Sequence, residues 1–332
     1  MKCPACGNDC VKPAEELLAV IEQLYLACPA CAAEPNLNKS APARHLPERV
    51  ERCSSCGKAP LDSVMLDALR LLQEFGLRED DATLRSVGTP LIEVGYPLAY
   101  PPRLGRRNLI LSGEGYSRKA AEAMVERIPE IKGVILSRGV PGVLSLEKKP
   151  VENVLLAGCD MRADICQSLF GELVIYKSQS RIHIEFSRKS APKMRILEQL
   201  YLQGRIRDVV DGLCGPGTLG LMCALAGARR VVLNDSWQAA VSNACLNLEV
   251  NRSLLRIEEI EYPERPAEDV GREPRLAACA HGPAEIEVYH GDLARLFSRA
   301  RPGELCLIDH FPGESTAEME KACRCCKEIV IV

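Results

Sequence analysis

Several features that would assign a chain to a special class are scarce or missing in this sequence of 332 residues. It has no apolar run of the roughly 18 residues that a membrane span needs, and the first residues, Met1–Pro4, include no apolar core of a signal peptide. Aromatic residues make up 4%, so stacking platforms for nucleic-acid bases are not evident. The formal net charge is −3, which excludes a polycation. We therefore expect a cytoplasmic protein without a membrane segment, in which any contact with nucleic acid comes from a local basic patch.

The rest of the composition is that of an ordinary globular protein, with one exception. Apolar residues make up 47% and charged residues 26%, which excludes a disordered, collagen-like or coiled-coil chain, and the length fits two or three domains. The exception is cysteine, with 17 residues. Their odd number, the missing secretory signal and the many pairs with two intervening residues argue against a secreted disulfide scaffold. They indicate metal ligation in a reducing compartment.

Residues 1–60 contain seven cysteines, six of which form three pairs with two residues between the members. The pairs are Cys3/Cys6, Cys28/Cys31 and Cys53/Cys56. A gap of two residues lets both thiolates of a tight turn reach one ion, and two such turns form a tetrahedral sulfur site that usually holds Zn²⁺. The sequence therefore predicts a zinc-binding module over residues 1–60 with these six cysteines as ligands. A helix is predicted from Pro13 to Leu26, between the first two pairs.

The number of metal ions in this module stays open at the level of sequence. Three pairs exceed one site and fall short of two all-sulfur sites. Adding Cys10 and His45 would give eight ligands and two zinc ions, whereas one zinc ion would leave a spare pair. An iron–sulfur cluster or a set of reduced structural thiols is the less favoured alternative. We interpret most of the ten cysteines after residue 150 as small buried apolar residues.

The middle of the chain predicts a small mixed α/β unit. Helical periodicity extends over residues 61–75 and again from about Ser117 to Arg127, and short strands are predicted at residues 109–111, 134–136, 173–176 and 181–186. Six basic side chains lie between residues 177 and 195: Lys177, Arg181, Arg188, Lys189, Lys193 and Arg195. Such a stretch is either a solvated face, which composition favours, or a track for phosphates.

The strongest pattern is a strand that enters a glycine turn and continues into a helix, residues 208–226. Gly215, Gly217 and Gly220 match the spacing of a dinucleotide site, so NAD is a competing cofactor. Asp211, ahead of the first of these glycines, is poorly placed for a pyrophosphate but suits the amino-acid end of a cationic sulfonium cofactor. Asp235 ends the next strand about 20 residues later, where an acid can hold ribose hydroxyls with either cofactor.

The same segment resembles the class I S-adenosylmethionine (SAM)-dependent methyltransferases. Asp211-Gly212-x-x-Gly215-Pro216-Gly217 resembles the first motif of that superfamily, Asp235 its ribose-binding acid, and His290-Gly291-Asp292 its third-strand motif. The resemblance implies a Rossmann-like α/β fold, SAM as the cofactor, and a methyltransferase activity. It also implies this set of cofactor-binding residues: Asp211, Gly212, Gly215, Pro216, Gly217, Asp235 and Asp292.

A finer resemblance, over about residues 130–332, is to the archaeal and eukaryotic tRNA guanine methyltransferases and the wybutosine-synthesis enzymes. It rests on Phe186-Ser187-Arg188, on Met194-Arg195-Ile196, on the acid-then-asparagine helix and on Asp309–Gly313. The asparagines of that helix are Asn243, Asn247 and Asn251. The resemblance implies tRNA as the partner and a role in tRNA processing. The alternatives are a protein side chain or a biosynthetic small molecule as acceptor, or a non-catalytic SAM-binding scaffold that docks a protein partner.

Methyl transfer needs an oriented acceptor and, where the acceptor carries a proton, a base. Asp309 is the first candidate for this role and His310 the second, the alternatives being a helix N-cap for Asp309 and an exposed loop residue for His310. We predict a helical linker and a small α/β substrate-recognition domain over residues 61–204, and the SAM-binding domain over residues 205–332.

Two expectations concern the last predicted domain. Residues 329–332 are predicted as the fifth strand, which leaves no residues for the sixth and seventh strands of the usual fold, so that one side of the acceptor pocket would be open or covered by a partner. The insertion from Arg252 to Pro283 is either a lid or a disordered loop.

Overall fold

The computed structural model describes residues 1–35, 37–48, 51–141, 151–185, 191–310 and 315–332. Its helices are α1 (Ala14–Leu24), α2 (Leu61–Glu74), α3 (Arg118–Arg127), α4 (Pro192–Leu202), α5 (Thr218–Leu225), α6 (Gln238–Val250) and α7 (Ala317–Ala322). Short 3₁₀ turns cover Ala43–His45, Leu84–Ser86 and Leu293–Ser298. None of the helices in the described part of the chain has the length and apolar content that a membrane span requires.

The strands fall into two groups along the chain. The first group is β1 (Ala59–Pro60), β2 (Thr89–Ile92), β3 (Val94–Gly95), β4 (Arg103–Leu104), β5 (Leu109–Gly113), β6 (Ile131–Leu136), β7 (Val154–Gly158), β8 (Met161–Ser168) and β9 (Gly171–Ser178). The second group is β10 (Asp208–Asp211), β11 (Arg230–Asp235), β12 (Glu259–Glu261), β13 (Arg275–His281), β14 (Glu285–His290), β15 (Leu305–Ile308) and β16 (Glu328–Ile331).

The second group forms one seven-stranded sheet in the order β12-β13-β14-β11-β10-β15-β16. The five strands from β14 to β16 in this order are parallel to one another. Within this sheet the first strand in the sequence, β10, is central. Strands β11 and β14 lie on one side of it, and β15 and β16 lie on the other side. This change of side opens a crevice beside the carboxyl end of β10. The prediction of a Rossmann-like α/β fold is confirmed, and so is the predicted fifth strand, β16.

The insertion from Arg252 to Pro283 is partly regular structure, so the expectation of a disordered loop over its whole length is wrong, whereas a lid stays a prediction. It contains β12 and β13, which add to the outer edge of β14 in antiparallel orientation. Ala277, Ala278 and Ala280 of β13 are buried. The many charged residues of the insertion obscured this strand in the sequence, because small buried alanines carry a weak strand signal.

The first group of strands builds three smaller sheets. Strands β2-β5-β6-β7 form one sheet, β3-β8-β9 another, and β1 with β4 a two-stranded ribbon. A strand predicted at residues 181–186 is absent from the described residues 181–185. The alternation there has another cause: Ile182 packs on Ala239 and Ala240 of α6, whereas Ile184 packs on the cluster around Ile110 of β5.

An asparagine ladder joins strand β9 of the β3-β8-β9 sheet to helix α6. Asn243, Asn247 and Asn251 lie on one face of α6, and their Oδ1 atoms accept hydrogen bonds from the N–H groups of Ser178, Tyr176 and Val174, at 3.0, 2.7 and 2.9 Å. Four residues of a helix rise about 6 Å and two residues of a strand about 6.6 Å, so the two spacings match. The ladder covers the free edge of β9, which would otherwise expose unpaired backbone groups.

Candidate functional site

The glycine turn between β10 and α5 is built by backbone conformations that favour glycine. Gly215 and Gly217 have φ angles of +52° and +89°, a region that side chains with a Cβ atom rarely adopt. The N–H of Gly217 donates to the carbonyl of Cys214 at 2.8 Å, and Gly217 is the N-cap of α5. A Cβ atom on Gly215 would meet no atom within 4 Å. The turn therefore presents an open backbone surface and the amino end of a helix to the crevice.

Gly220 has a different role in the same motif. A Cβ atom at this position would lie 2.1 Å from a methyl carbon of Leu233 on β11. The glycine allows α5 to pack directly on the strand. Gly220 is therefore needed for helix–strand packing. This role is the same for NAD and for SAM, so Gly220 does not distinguish the two cofactors.

Asp211 is fully buried at the carboxyl end of β10. Its Oδ2 accepts a hydrogen bond from the N–H of Gly220 at 2.9 Å, while its Oδ1 is buried without a partner among the described residues. Burial, with a contribution from the charge of Asp309, raises the pKa of Asp211 to about 7. A carboxylate in this position needs a cation or a hydrogen-bond donor from a ligand. The hydroxyl of Thr218, next to the turn, is also buried without a described partner.

Asp235 closes the turn from the neighbouring strand. It ends β11, its Oδ2 accepts from the N–H of Gly215 at 2.9 Å and its Oδ1 from the N–H of Trp237 at 2.8 Å. Burial raises the pKa of Asp235, and these N–H donors oppose the rise. Each oxygen keeps a second lone pair, so the carboxylate can still accept from a ligand hydroxyl.

The remaining predicted cofactor residues surround the same crevice. Gly212 donates its N–H to the carbonyl of Leu307 at 3.0 Å, and the carbonyl of Pro216 accepts from Nδ2 of Asn247 at 3.0 Å. Asp292 follows the end of β14, is exposed, and caps a 3₁₀ turn by accepting from the N–H of Ala294 at 2.9 Å. The acids at the carboxyl ends of β10 and β11 and the acid after β14 thus lie at one edge of the sheet.

Asp309 follows β15 at the same edge and is held by a lysine that sequence reasoning placed in a basic stretch. Its Oδ2 accepts from Nζ of Lys193 at 2.6 Å, and the same Nζ donates to Oε1 of Glu185 at 3.1 Å. Oε2 of Glu185 in turn accepts from the buried Lys177 at 2.8 Å. Burial raises the pKa of Asp309, and the charge of Lys193 opposes this rise. His310 is half-buried, and the predicted segment Phe311–Gly313 lies outside the described residues.

These ion pairs change the interpretation of the basic stretch. Lys177 and Lys193 are committed to internal carboxylates, and Arg181 pairs with Glu152 at 3.2 Å. Arg188 and Lys189 lie outside the described residues. Sequence reasoning missed Glu185 as the acid that organises both lysines. Its position as the one acid in the stretch was the signal that could have identified it.

Four cysteines of the first module form a compact sulfur group. The Sγ atoms of Cys28, Cys31, Cys53 and Cys56 lie within 4.8 Å of one another. Three of the distances are 3.6 to 3.7 Å: Cys28 to Cys53, Cys31 to Cys28 and Cys31 to Cys56. A tetrahedral zinc ion with Zn–S bonds of about 2.3 Å has sulfur–sulfur edges of about 3.8 Å. The donor set therefore fits zinc, with two of the predicted pairs contributing.

The third predicted pair, Cys3 and Cys6, belongs to a different group. It lies with Cys10, as one of the sequence alternatives expects, and with Cys159, one of the ten later cysteines, for which the sequence predicts no ligand role. His45 belongs to neither group of the described residues, so its place among the ligands is wrong. Its Nε2 instead lies 3.2 Å from Nε of Arg44.

No protein-family model matches this chain, and no curated protein matches it either. Among solved structures it is similar to aTrm5 in complex with tRNALeu, with 12% identity over 82% of this chain and 63% of that chain and a TM-score of 0.40. It is also similar to the M. jannaschii tRNA m1G37 methyltransferase, with 14% identity over 81% and 64% of the two chains and a TM-score of 0.39. It is similar as well to P. horikoshii TYW2 in complex with MeSAdo, with 14% identity over 79% of this chain and 76% of that chain and a TM-score of 0.41. The chain spans less than two thirds of the length of the first two, and likenesses this distant leave its function to be inferred from the site itself.

Proposed function

We propose that this chain is a SAM-dependent methyltransferase. The observation that carries the proposal is the buried carboxylate of Asp211, which has an oxygen without a described partner beside an open glycine turn. The methionine end of SAM offers an ammonium and a sulfonium, both cationic. The pyrophosphate of NAD, the competing cofactor, is anionic and would be repelled by this carboxylate. The charge in the crevice therefore favours SAM.

In this proposal each residue around the crevice binds a different part of the cofactor. Asp211 accepts from the ammonium, the backbone of Gly212 to Gly217 lies against the methionine part, and Asp235 accepts from the ribose hydroxyls. Asp292 faces the amino group of adenine, as the sequence resemblance implies. The carboxyl ends of three adjacent parallel strands supply these acids, which is where open α/β sheets bind their ligands.

When bound, SAM supplies a methyl carbon that its sulfonium has already activated. The chain then has to orient the acceptor and to take up the proton that the acceptor loses. Asp309 does this through its carboxylate, which Lys193 keeps in position at 2.6 Å. Because burial raises its pKa, Asp309 is a stronger base than an exposed aspartate. His310, the next residue, is the second candidate for contact with the acceptor.

The acceptor in this proposal is a base of RNA, specifically of tRNA, and the sequence resemblance over residues 130–332 supports it. Phosphate contacts would come from exposed arginines such as Arg106 and Arg195, because Lys177 and Lys193 are committed to ion pairs. The zinc group of Cys28, Cys31, Cys53 and Cys56 is a structural site in this proposal, since four thiolates leave no open coordination position.

The test uses methyl-labelled SAM, the full chain, and an extract of its source cells, followed by digestion of the labelled pool. Label that nuclease releases and protease does not supports RNA as the acceptor. Label that only protease releases would move the acceptor to a protein. No transfer, with SAM binding intact, would favour a small molecule or a scaffold.

Asp309→Asn sharpens this test. We expect transfer to fall about 10²–10⁴-fold, the usual contribution of a general base, with SAM binding retained. Glu304→Gln, at the opposite end of β15 in an exposed pair with Lys327, is the matched control and should keep full activity. Equal activity of the Asp309→Asn variant and the control would remove Asp309 from the mechanism.

A further inference from the structure

We propose that Cys3, Cys6, Cys10 and Cys159 form a second four-sulfur metal site, which holds zinc and fastens the amino-terminal segment to the middle of the chain. Cys159 lies 149 residues beyond Cys10, in the turn between β7 and β8. The site is distinct from the Cys28/Cys31/Cys53/Cys56 group and independent of the proposed transferase activity.

The sulfur positions match the coordination shell of a single ion. The Sγ atom of Cys159 lies 3.6 Å from those of both Cys3 and Cys10, and Sγ of Cys6 lies 3.5 Å from that of Cys10. All four atoms lie within 4.8 Å of one another. These distances are close to the edges of about 3.8 Å around tetrahedral zinc. A [4Fe–4S] cluster binds each thiolate to a different iron and a [2Fe–2S] cluster divides the four between two irons, so either cluster would spread the four sulfurs further apart.

The turn that presents Cys3 and Cys6 repeats the turn of the other sulfur group. The N–H of Gly7 donates to the carbonyl of Cys3 at 2.8 Å, and the N–H of Cys3 donates to the carbonyl of Asn8 at 2.8 Å. At Cys53 the corresponding bonds, from Gly57 and to Lys58, are 2.8 and 3.0 Å. The glycines have φ angles of +70° and +72°. Two turns of the same geometry thus present a Cys-x-x-Cys pair to two separate sulfur groups.

The backbone fixes Cys159 in the ligating position from the other side. Gly158, the residue before it, has a φ angle of +77°, and a Cβ atom there would lie 2.2 Å from the carbonyl oxygen of Lys132. That same carbonyl accepts the N–H of Cys159 at 2.9 Å. Cys159 is also fully buried. The tight turn and the burial together fix the position of its thiol at the sulfur group.

The charge around the site also suits a metal thiolate centre. Four thiolates around one divalent cation carry a net charge of about −2, which is costly to bury without a cation nearby. Lys132 is fully buried, its charge acts on Cys10 and Cys159, and its Nζ is held by Glu93 at 2.7 Å and by the carbonyl of Met161 at 2.7 Å. The site thus lies beside a buried Lys132–Glu93 ion pair, the cationic end of which acts on two of its cysteines.

The test is the metal content of the full chain, purified without added metal and measured by elemental mass spectrometry. We expect two zinc ions per chain. Cys159→Ser and Cys10→Ser should each lower this to one, and Cys53→Ser should also lower it to one by emptying the other site. The double variant Cys53→Ser/Cys159→Ser should hold none. Cys279→Ser, a half-buried cysteine outside both groups, is the control and should keep two.

A wild-type chain with one zinc ion, or a Cys159→Ser variant that keeps two, would overturn the proposal. If the serine variants do not fold, the wild-type chain still decides the question. Stripped of zinc and titrated with Co²⁺, it should develop the absorption of tetrahedral four-thiolate cobalt up to two equivalents. Saturation at one equivalent would overturn the site as well.

Discussion

At the scale of single residues, Asp211 determines both the charge and the pH response of the crevice. Its pKa is about 7 in the folded chain because of burial, against about 3.9 when exposed. The folded state thus binds the proton more tightly between these values. The free energy of unfolding should therefore fall as the pH rises from about 4 to 7, and level off above 7.

The substitution Asp211→Asn tests this. The amide oxygen can still accept from Gly220, so we expect the unliganded variant to be more stable than wild type at pH 8, by about 1–4 kcal/mol, and to lose the fall between pH 4 and 7. SAM affinity should drop about 10–100-fold, since a charged hydrogen bond is lost. Urea unfolding across pH and calorimetric titration with SAM measure both effects. Asp81→Asn, at an exposed carboxyl, should change neither; a variant that is destabilised at pH 8 would contradict this account of Asp211.

Gly215 gives a second prediction at this scale. Alanine there strains the backbone by about 1 kcal/mol and places a methyl group in the open crevice. We expect SAM affinity to fall at least about tenfold. Gly204→Ala is the matched control, because Gly204 has a φ angle of +67° and also faces open space, at the end of α4. The control should show the same loss of stability with normal SAM binding, measured by thermal unfolding and titration. Equal SAM affinity in the two variants would show that the crevice is not the cofactor site.

At the scale of elements, the sequence predicted best where the signal is local. Strand, glycine turn and helix at residues 208–226 follow one another in the chain, and α1, α2 and α3 show clear periodicity over adjacent turns. The structure departs from prediction where an element serves distant partners. Cys159 has no second cysteine near it in the sequence. The alternation of Ile182 and Ile184 arises because the first packs on α6 and the second on the cluster around Ile110. Periodicity and spacing depend on residues that are neighbours in the sequence, so they do not predict contacts between distant segments.

The asparagine ladder is the element-scale feature that should matter most for stability. Asn247 accepts from the N–H of Tyr176 and donates to the carbonyls of Tyr176 and Pro216, and it is fully buried. Asn247→Ala leaves these backbone groups without partners, and we expect a loss of about 3 kcal/mol in the free energy of unfolding. Ser242→Ala, at an exposed position of the same helix, should stay within about 0.5 kcal/mol of wild type. Urea unfolding measures both; a loss below about 1 kcal/mol for Asn247→Ala would mean that water replaces the ladder.

At the scale of the whole molecule, β9 connects parts that the sequence divides at residues 60 and 204. The side chain of Tyr176 in β9 contacts the amino-terminal segment, where its hydroxyl accepts from the N–H of Lys12 at 3.1 Å. The edge of β9 that does not pair with β8 is hydrogen-bonded to α6. The predicted domain boundaries stay predictions, but the contacts indicate that the parts depend on each other for stability. Strand β9 would lose stabilising partners if either neighbour unfolded.

This sharing predicts cooperative unfolding of the zinc-loaded chain. Trp237, the single tryptophan, lies at the start of α6 beside the glycine turn and reports on the carboxy-terminal sheet, whereas release of zinc to a chelating dye reports on the amino-terminal segment. Because β9 bridges the two regions, the midpoints of tryptophan fluorescence, zinc release and far-ultraviolet circular dichroism in urea should coincide. In the Asn247→Ala variant, which weakens the bridge, zinc release and the fluorescence change should separate. Separate midpoints already in the wild-type chain would mean that the amino-terminal segment unfolds on its own and that β9 does not couple it to the cofactor site.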